Sequence, residues 1–165
     1  MTDQKLVGYL RRITLFDWLS ETQLAAVAAT AESITSPAGS VIAAQDAPAT
    51  GAILVLDGEV EEATGTTRPT AVPPGTLLSE VAMVVDTAHR ATIRSRSQAQ
   101  IAILWRDTLL ELMTQDQSIA TALLTAFVSR LKGIAAELAE IEALTNGGDA
   151  SAGSTNDKSA DRTVA

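Results

Sequence analysis

The chain contains no cysteine among its 165 residues, so disulfides, thiolate catalysis and cysteine-ligated zinc or iron–sulfur sites are excluded. Histidine occurs once, at His89, which also excludes metal centres built on two or three imidazoles. Only carboxylates remain as ligands for a hard cation, and no metal is expected. Aromatic residues make up 3% of the chain, so the core has to be assembled from Leu, Ile, Val and Ala. Basic residues are the minority, 12 against 20 acidic ones, for a formal net charge of -8. That balance disfavours a broad phosphate-backbone footprint and hence direct nucleic-acid binding. It does not exclude a local anion site made by one or two groups. Uninterrupted apolar runs fall well short of 18 residues and the first ten residues lack a signal-peptide core. The expectation is a cytoplasmic protein with no membrane partner.

What the chain does have is enough apolar content, 46%, for one core of ordinary size. Leu6, Leu10 and Ile13 recur at helical spacing beside Arg11 and Arg12. Ser20-Glu21-Thr22-Gln23 has the form of a capping box, with Leu24, Val27 and Ala28 as the apolar face of the helix it opens. That helix fades near Glu32.

From Ser33 to Trp105 the pattern changes. Pro37-Ala38-Gly39 and Pro73-Pro74-Gly75 mark turns, and Asp57-Gly58 predicts a tight hairpin between apolar residues 52–56 and Glu59-Val60-Glu61. Val41-Ile42, Thr92-Ile93-Arg94 and residues 100–104 are further strand candidates. Short strands at close spacing argue for a sandwich or jelly-roll barrel, since the inserts are too short for repeated βαβ crossovers.

A short helix is predicted over residues 107–113, with Asp107 or Thr108 as its cap, and a long one over 117–145. In the long helix Leu124, Leu131 and Leu138 recur every seven residues, and Phe127, Ile134 and Ile141 follow each by three. Such a stripe must be hidden, either against a second copy in a homodimer or, for its first half, against its own domain. Asn146-Gly147-Gly148 reads as a helix stop, and residues 146–165 as a disordered polar tail.

The stretch with most chemical content is Pro74-Gly75-Thr76-Leu77-Leu78-Ser79-Glu80-Val81-Ala82-Met83, followed by His89-Arg90-Ala91-Thr92-Ile93-Arg94. A glycine turn leads into a single helical turn near Ser79, where backbone N–H groups can cradle an anion and a nearby Arg can close over it. Glu80 can accept from ligand hydroxyls. An ordinary turn with Glu80 salt-bridged or solvated accounts for the same residues. Trp18 and Trp105 read as packing residues, and Arg11, Arg12, Arg94, Arg96 and Arg106 as solvated or locally paired. His89 reads as a surface or rim residue without catalytic function.

The order of elements and these motifs resemble the cyclic nucleotide-binding domain of catabolite-activator-type regulators, kinase regulatory subunits and nucleotide-gated channels. The resemblance covers residues 6–144 and rests on Leu15-Phe16, Pro37-Ala38-Gly39, Leu54-Val55-Leu56-Asp57-Gly58-Glu59-Val60, Pro74-Gly75, Ser79-Glu80-Val81-Ala82-Met83, Ala91-Thr92-Ile93 and Leu104-Trp105-Arg106. It implies a mainly β fold: an eight-stranded antiparallel jelly-roll barrel with N-terminal helices and a long C-terminal helix, occupying residues 1–145. It also implies a phosphate-binding cassette, in which a Gly-Glu turn holds the cyclic phosphate and ribose and an Arg before the Ala-Thr strand neutralises charge. Gly75, Leu78, Ser79, Glu80, Val81, Ala82, His89, Arg90, Ala91 and Thr92 become the candidate ligand-binding residues. Thr121 and Thr125 are candidate base-side hydroxyls. Two positions depart from the pattern: Ser79 stands where the family has glycine, and His89 where it has arginine, with Arg90 one place later.

No nucleophile–base pair and no metal cluster is legible, so the chain is expected not to be an enzyme. Beyond Thr145 no helix-turn-helix is legible, so transcriptional output would need a separate effector protein. The resulting expectation is a bacterial regulatory module that senses a small anionic ligand, with cyclic AMP or cyclic GMP as candidates, and relays it through the long helix. The alternative is a ligand-free scaffold for dimerisation or protein interaction.

Overall fold

Helices at the two ends of the chain flank a run of short strands. The computed structural model describes residues 3–147. In order they form α1 (Asp3–Leu10), a 3-10 turn (Thr14–Phe16), α2 (Glu21–Ala29), β1 (Ala31–Ser36), β2 (Val41–Ala43), β3 (Pro48–Ala49), β4 (Gly51–Asp57), β5 (Val60–Ala63), β6 (Thr70–Val72) and β7 (Leu77–Leu78). A second 3-10 turn (Glu80–Met83), β8 (Thr87–Ala88), β9 (Thr92–Ser95), β10 (Ala99–Trp105), α3 (Arg106–Gln115) and α4 (Gln117–Gly147) complete the order. The described residues divide into two units between Phe127 and Val128.

Strand order is β1-β10-β4-β7 in one sheet and β2-β9-β5-β6 in the second, with β3-β8 as a separate pair. Every pairing is antiparallel. The two larger sheets share a design. β1 pairs with β10 where β2 pairs with β9, and β10 pairs with β4 where β9 pairs with β5. Three long strands are thus bent at a common corner, each contributing one half to each sheet. The corner is built by Gly39 and Gly58, at φ of 78° and 88°, and by a fully buried Ser95. Ser95 Oγ donates to the Pro37 carbonyl at 2.6 Å and stands 3.0 Å from Ser36 Oγ.

This corner corrects the hairpin expected at Asp57-Gly58. β4 and β5 do not pair; Gly58 carries the chain from one sheet to the other. It also corrects the fold class. The described residues hold ten strands in three open sheets, not an eight-stranded closed barrel. Bending splits each long strand in two, and the ladders stop at β1 and β7 in one sheet and at β2 and β6 in the other, so no ring of hydrogen bonds closes. Nor is the protein mainly β: α4 alone runs for 31 residues, against seven for the longest strands, and the fold is mixed α/β.

β4 explains where the core sits. Ala52, Leu54 and Leu56 join α1, α2, α3 and the start of α4 in one apolar cluster, whereas Ile53 and Val55 join Val60, Val72 and Ile93 in another. Successive side chains leave opposite faces of a strand, so a strand buried on both faces reads as a continuous apolar run. Gly51 opens β4 against its neighbour so closely that a Cβ there would lie 2.3 Å from the Leu104 carbonyl oxygen.

The capping box at Ser20 and Gln23 forms as expected, and Leu24, Val27 and Ala28 are buried. α3 starts at Arg106 with Trp105 at the cap position, so neither Asp107 nor Thr108 caps it; Asp107 lies in the first turn, where its charge complements the helix dipole. Asp116 Oδ1 accepts from the backbone N–H of Ser118 at 2.9 Å at the start of α4. Trp18 is 64% exposed and does not pack, because the 3-10 turn buries Leu15 and Phe16 instead. Trp105 donates its indole N–H to Glu32 at 2.7 Å.

α4 packs through Ile119, Leu123 and Ala126, with Phe127 half-buried beside them. The seven-residue stripe points elsewhere: Leu124, Leu131, Ile134, Leu138 and Ile141 are all exposed. By length and composition alone this helix is long and apolar enough to cross a membrane. Its apolar residues are interrupted by Arg130, Lys132, Glu137, Glu140 and Glu142, a helical pattern of alternating faces. The expected polar tail lies outside the described residues, apart from Asn146 and Gly147, which continue α4.

Candidate functional site

The candidate site is a turn set between two short strands. β7 ends at Leu78 against Ile53 of β4, Ser79 adopts a left-handed conformation at φ 55° and ψ 35°, and Glu80–Met83 form one 3-10 turn. A left-handed serine costs about 1–2 kcal/mol relative to an ordinary backbone angle, a cost glycine avoids. Ala82 and Met83 are fully buried and anchor the turn to the core, which leaves Val81 exposed and Ser79 and Glu80 half-buried. The Ala82 N–H donates to the Ser79 carbonyl at 2.9 Å, closing the turn.

The wall opposite the turn is made by residues 87–92. β8 pairs with β3, Pro48 opposite Ala88 and Ala49 opposite Thr87. The ladder continues past it, with the His89 N–H donating to Ala47 at 3.0 Å and the Asp46 N–H donating to His89 at 2.9 Å. This pairing holds the backbone extended, so adjacent side chains face opposite ways. His89 is 8% exposed and turned inward, whereas Arg90 is exposed. The expectation of a surface or rim histidine is therefore corrected: the β3–β8 pairing fixes which of the two neighbours faces in.

Inward, His89 meets Ser79. His89 Nδ1 stands 2.8 Å from Ser79 Oγ, within hydrogen-bond distance. The two residues that depart from the resembled pattern are thus partners of each other. Burial lowers the His89 pKa below its ordinary value, favouring the neutral imidazole. A Ser–His contact is also part of a nucleophile and base, but here the imidazole is buried and its bond to Ser79 joins the two sides of the turn. Among the described residues no group of three or more His, Asp or Glu could hold a metal ion.

Other candidates divide. Thr92 Oγ1 accepts from the Gln45 N–H at 3.1 Å, and Gln45 Oε1 accepts from the Gly65 N–H at 2.6 Å. Gly75, at φ 91°, donates its N–H to the Val55 carbonyl at 2.7 Å and turns the chain into β7. Ala91 is half-buried. Thr121 and Thr125 both donate to carbonyls four residues back in their own helix, to Gln117 and Thr121 respectively. Their hydroxyls keep only acceptor capacity for any further group.

Arg106, expected from sequence to be solvated or locally paired, is a supporting residue. Its guanidinium donates to the Ala49 and Val85 carbonyls, each at 3.1 Å, and pairs with Asp86 at 2.5 Å. It thereby ties β3 and the chain leaving the 3-10 turn to the start of α3. Gln45 went unnoticed for the same reason: its partners are distant in sequence, and nothing local marks them.

The sequence profile of the cyclic nucleotide-binding domain matches residues 34–116, a segment containing the turn, both departures and Arg106. No curated protein matches. Among solved structures, the chain is similar to the N-terminal domain of a transcriptional regulator from Streptomyces coelicolor, with 24% identity and a TM-score of 0.71 over 79% of this chain and 94% of that one. It is similar to the sensor domain of the transcriptional regulator DNR from Pseudomonas aeruginosa, at 21% identity and a TM-score of 0.60 over 82% and 94% of the two chains. Catabolite activator protein from Thermus thermophilus gives 20% identity and a TM-score of 0.61; the match covers 79% of this chain and 63% of that one.

Proposed function

The chain belongs to the cyclic nucleotide-binding domain family, and from that premise we propose that it is a sensor module for a small anionic ligand, with its signal leaving through α4. The observation that supports this reading most is the turn at Ser79-Glu80. It keeps the left-handed backbone at the family's glycine position and presents a half-buried carboxylate next to fully buried Ala82. Glu80 is the acceptor for ligand hydroxyls, and the backbone N–H groups of residues 80–82 are the anion cradle. His89 replaces the phosphate arginine. A neutral imidazole provides no bidentate fork and no full charge. Loss of a charge-assisted bond to a buried phosphate costs about 2–5 kcal/mol, or roughly 30- to several-thousand-fold in affinity. Weak cyclic nucleotide binding, or preference for a less charged ligand, is the consequence. The module acts in the cytoplasm, pairs through α4 as a homodimer, and passes its state to a separate effector protein.

A second reading has its own support. The Ser79–His89 bond joins the two sides of the cassette with side chains of the protein itself, as a ligand-free scaffold would require. Calorimetric titration with 3',5'-cyclic AMP and cyclic GMP separates the two. Micromolar binding that disappears in Glu80→Ala is the expected result for the sensor, and silence at millimolar nucleotide leaves the scaffold.

A further inference from the structure

We infer that Glu62 is a specificity-determining residue of the candidate site, an acceptor on β5 that selects ligands presenting N–H or O–H donors to it and disfavours negative charge. This deepens the sensor reading and rests on it: the turn at Glu80 supplies the anion cradle and one acceptor, and β5 adds a second acceptor. Strand register assigns the face. Val60, Glu61 and Glu62 of β5 lie opposite Ser95, Arg94 and Ile93 of β9, and opposite Val72, Ala71 and Thr70 of β6. Residues paired across antiparallel strands share a face, and neighbours along a strand alternate. Val60, Ser95 and Val72 are buried, whereas Arg94 and Ala71 are exposed. Glu62 therefore shares the inner face with Val60 and lies beside Ile93, which is fully buried.

That inner face borders the site. Val60, Val72 and Ile93 belong to one apolar cluster, and Leu78, the residue before Ser79, packs against the same cluster while only half-buried. The end of β5 also reaches the candidate residues of β9: Ala63 pairs with Thr92, and Gln45 bonds both Gly65 and Thr92. Glu62 is half-buried at this end and, among the described residues, has no hydrogen bond or ion pair. Glu61, on the outer face, pairs with Arg96 instead. A carboxylate set among apolar side chains without a partner costs free energy that an apolar residue would not. Nearby arginines do not relieve it. Arg94 lies on the outer face and donates to the Gly39 carbonyl, Arg68 and Arg90 are exposed, and Arg106 is committed to Ala49, Val85 and Asp86. What this placement suits is recognition: the carboxylate accepts from donors on a bound molecule and repels an anionic group set against it.

Adenosine and 3',5'-cyclic AMP share base and sugar and differ in the cyclic phosphate, so calorimetric titration of the full chain with each reads charge selection directly. Glu62→Gln keeps the shape and removes the charge, and Glu62→Val removes the acceptor as well. Both should shift the preference from adenosine toward cyclic AMP several-fold. Glu61→Gln, one residue along and on the outer face, should leave the ratio unchanged. A measurement without ligand stands beside these: Glu62→Val should raise the thermal midpoint, because it removes an unpaired carboxylate from an apolar face. An unchanged ratio in both Glu62 variants, with binding still lost in Glu80→Ala, would overturn the role of Glu62 and leave the sensor intact. An equal shift in Glu61→Gln would overturn it as well, since a general surface field would then explain the selection. A lowered midpoint in Glu62→Val would do the same by showing that the carboxylate serves the free fold. Silence of the parent with both compounds at millimolar concentration would overturn the sensor reading together with this one.

Discussion

Ser79 and His89 carry the chemical individuality of this chain. Each alone reads as damage to an anion site, one by adding a side chain and the other by removing a charge. Their 2.8 Å contact makes them a single substitution in physical terms. Ser79→Gly together with His89→Arg should therefore raise cyclic nucleotide affinity about 30-fold or more over the parent, measured by calorimetry, whereas either change alone leaves an unmatched partner. The buried imidazole also makes stability depend on pH. Because burial lowers the folded-state pKa, the unfolded chain takes up the proton first. The contribution of neutral His89 is complete above the ordinary histidine pKa of about 6.5 and is lost as pH falls through the lower folded-state value. Thermal unfolding followed from pH 8 down to pH 5 should show a fall that His89→Gln flattens. The sequence singled out both residues, but their contact was beyond it, since ten residues and an intervening strand separate them.

Among elements, the bent ribbon of β1–β2, β10–β9 and β4–β5 explains more than any single strand. Asp57-Gly58 has the composition of a hairpin turn, and locally nothing distinguishes it from one. What redirects it is packing: a Cβ on Gly58 would lie 2.5 Å from the Gln98 carbonyl oxygen and 2.7 Å from the Ala99 Cα. Gly58→Ala should thus be strongly destabilising, by more than about 2 kcal/mol once the left-handed angle is added to the clash. Chemical denaturation tests it, and a near-neutral result would mean the corner can relax. The helices were more legible, because capping is local. Ser20 and Gln23 state their structure within four residues, and the buried face of α2 follows from spacing. α4 was legible in extent but divided in use: Ile119, Leu123 and Ala126 are committed to the core while the heptad stripe is not.

For the molecule as a whole, that exposed stripe should make stability a function of concentration. Pairing through α4 stabilises the folded state by mass action, so Tm of the parent should rise with protein concentration. In Leu131→Asp, which sets a carboxylate in the seam, the dependence should vanish; an unchanged dependence would place the contact elsewhere. The family was readable from an ordered set of short motifs spread along the chain, and the fold that implements it was readable only in outline. The barrel expectation took each apolar run as one strand and assumed that the ring closes, whereas bends and short edge ladders leave three open sheets. Sequence by itself determined the turn at Glu80, the helices, the apolar run that becomes β4 and the periodic seam, because each is encoded by near neighbours and by apolar periodicity. Only tertiary structure decided that Gly58 changes sheets, that His89 rather than Arg90 faces inward, and that Arg106 secures the chain behind the turn. Those outcomes depend on backbone and side-chain partners far apart along the chain, which no local pattern specifies.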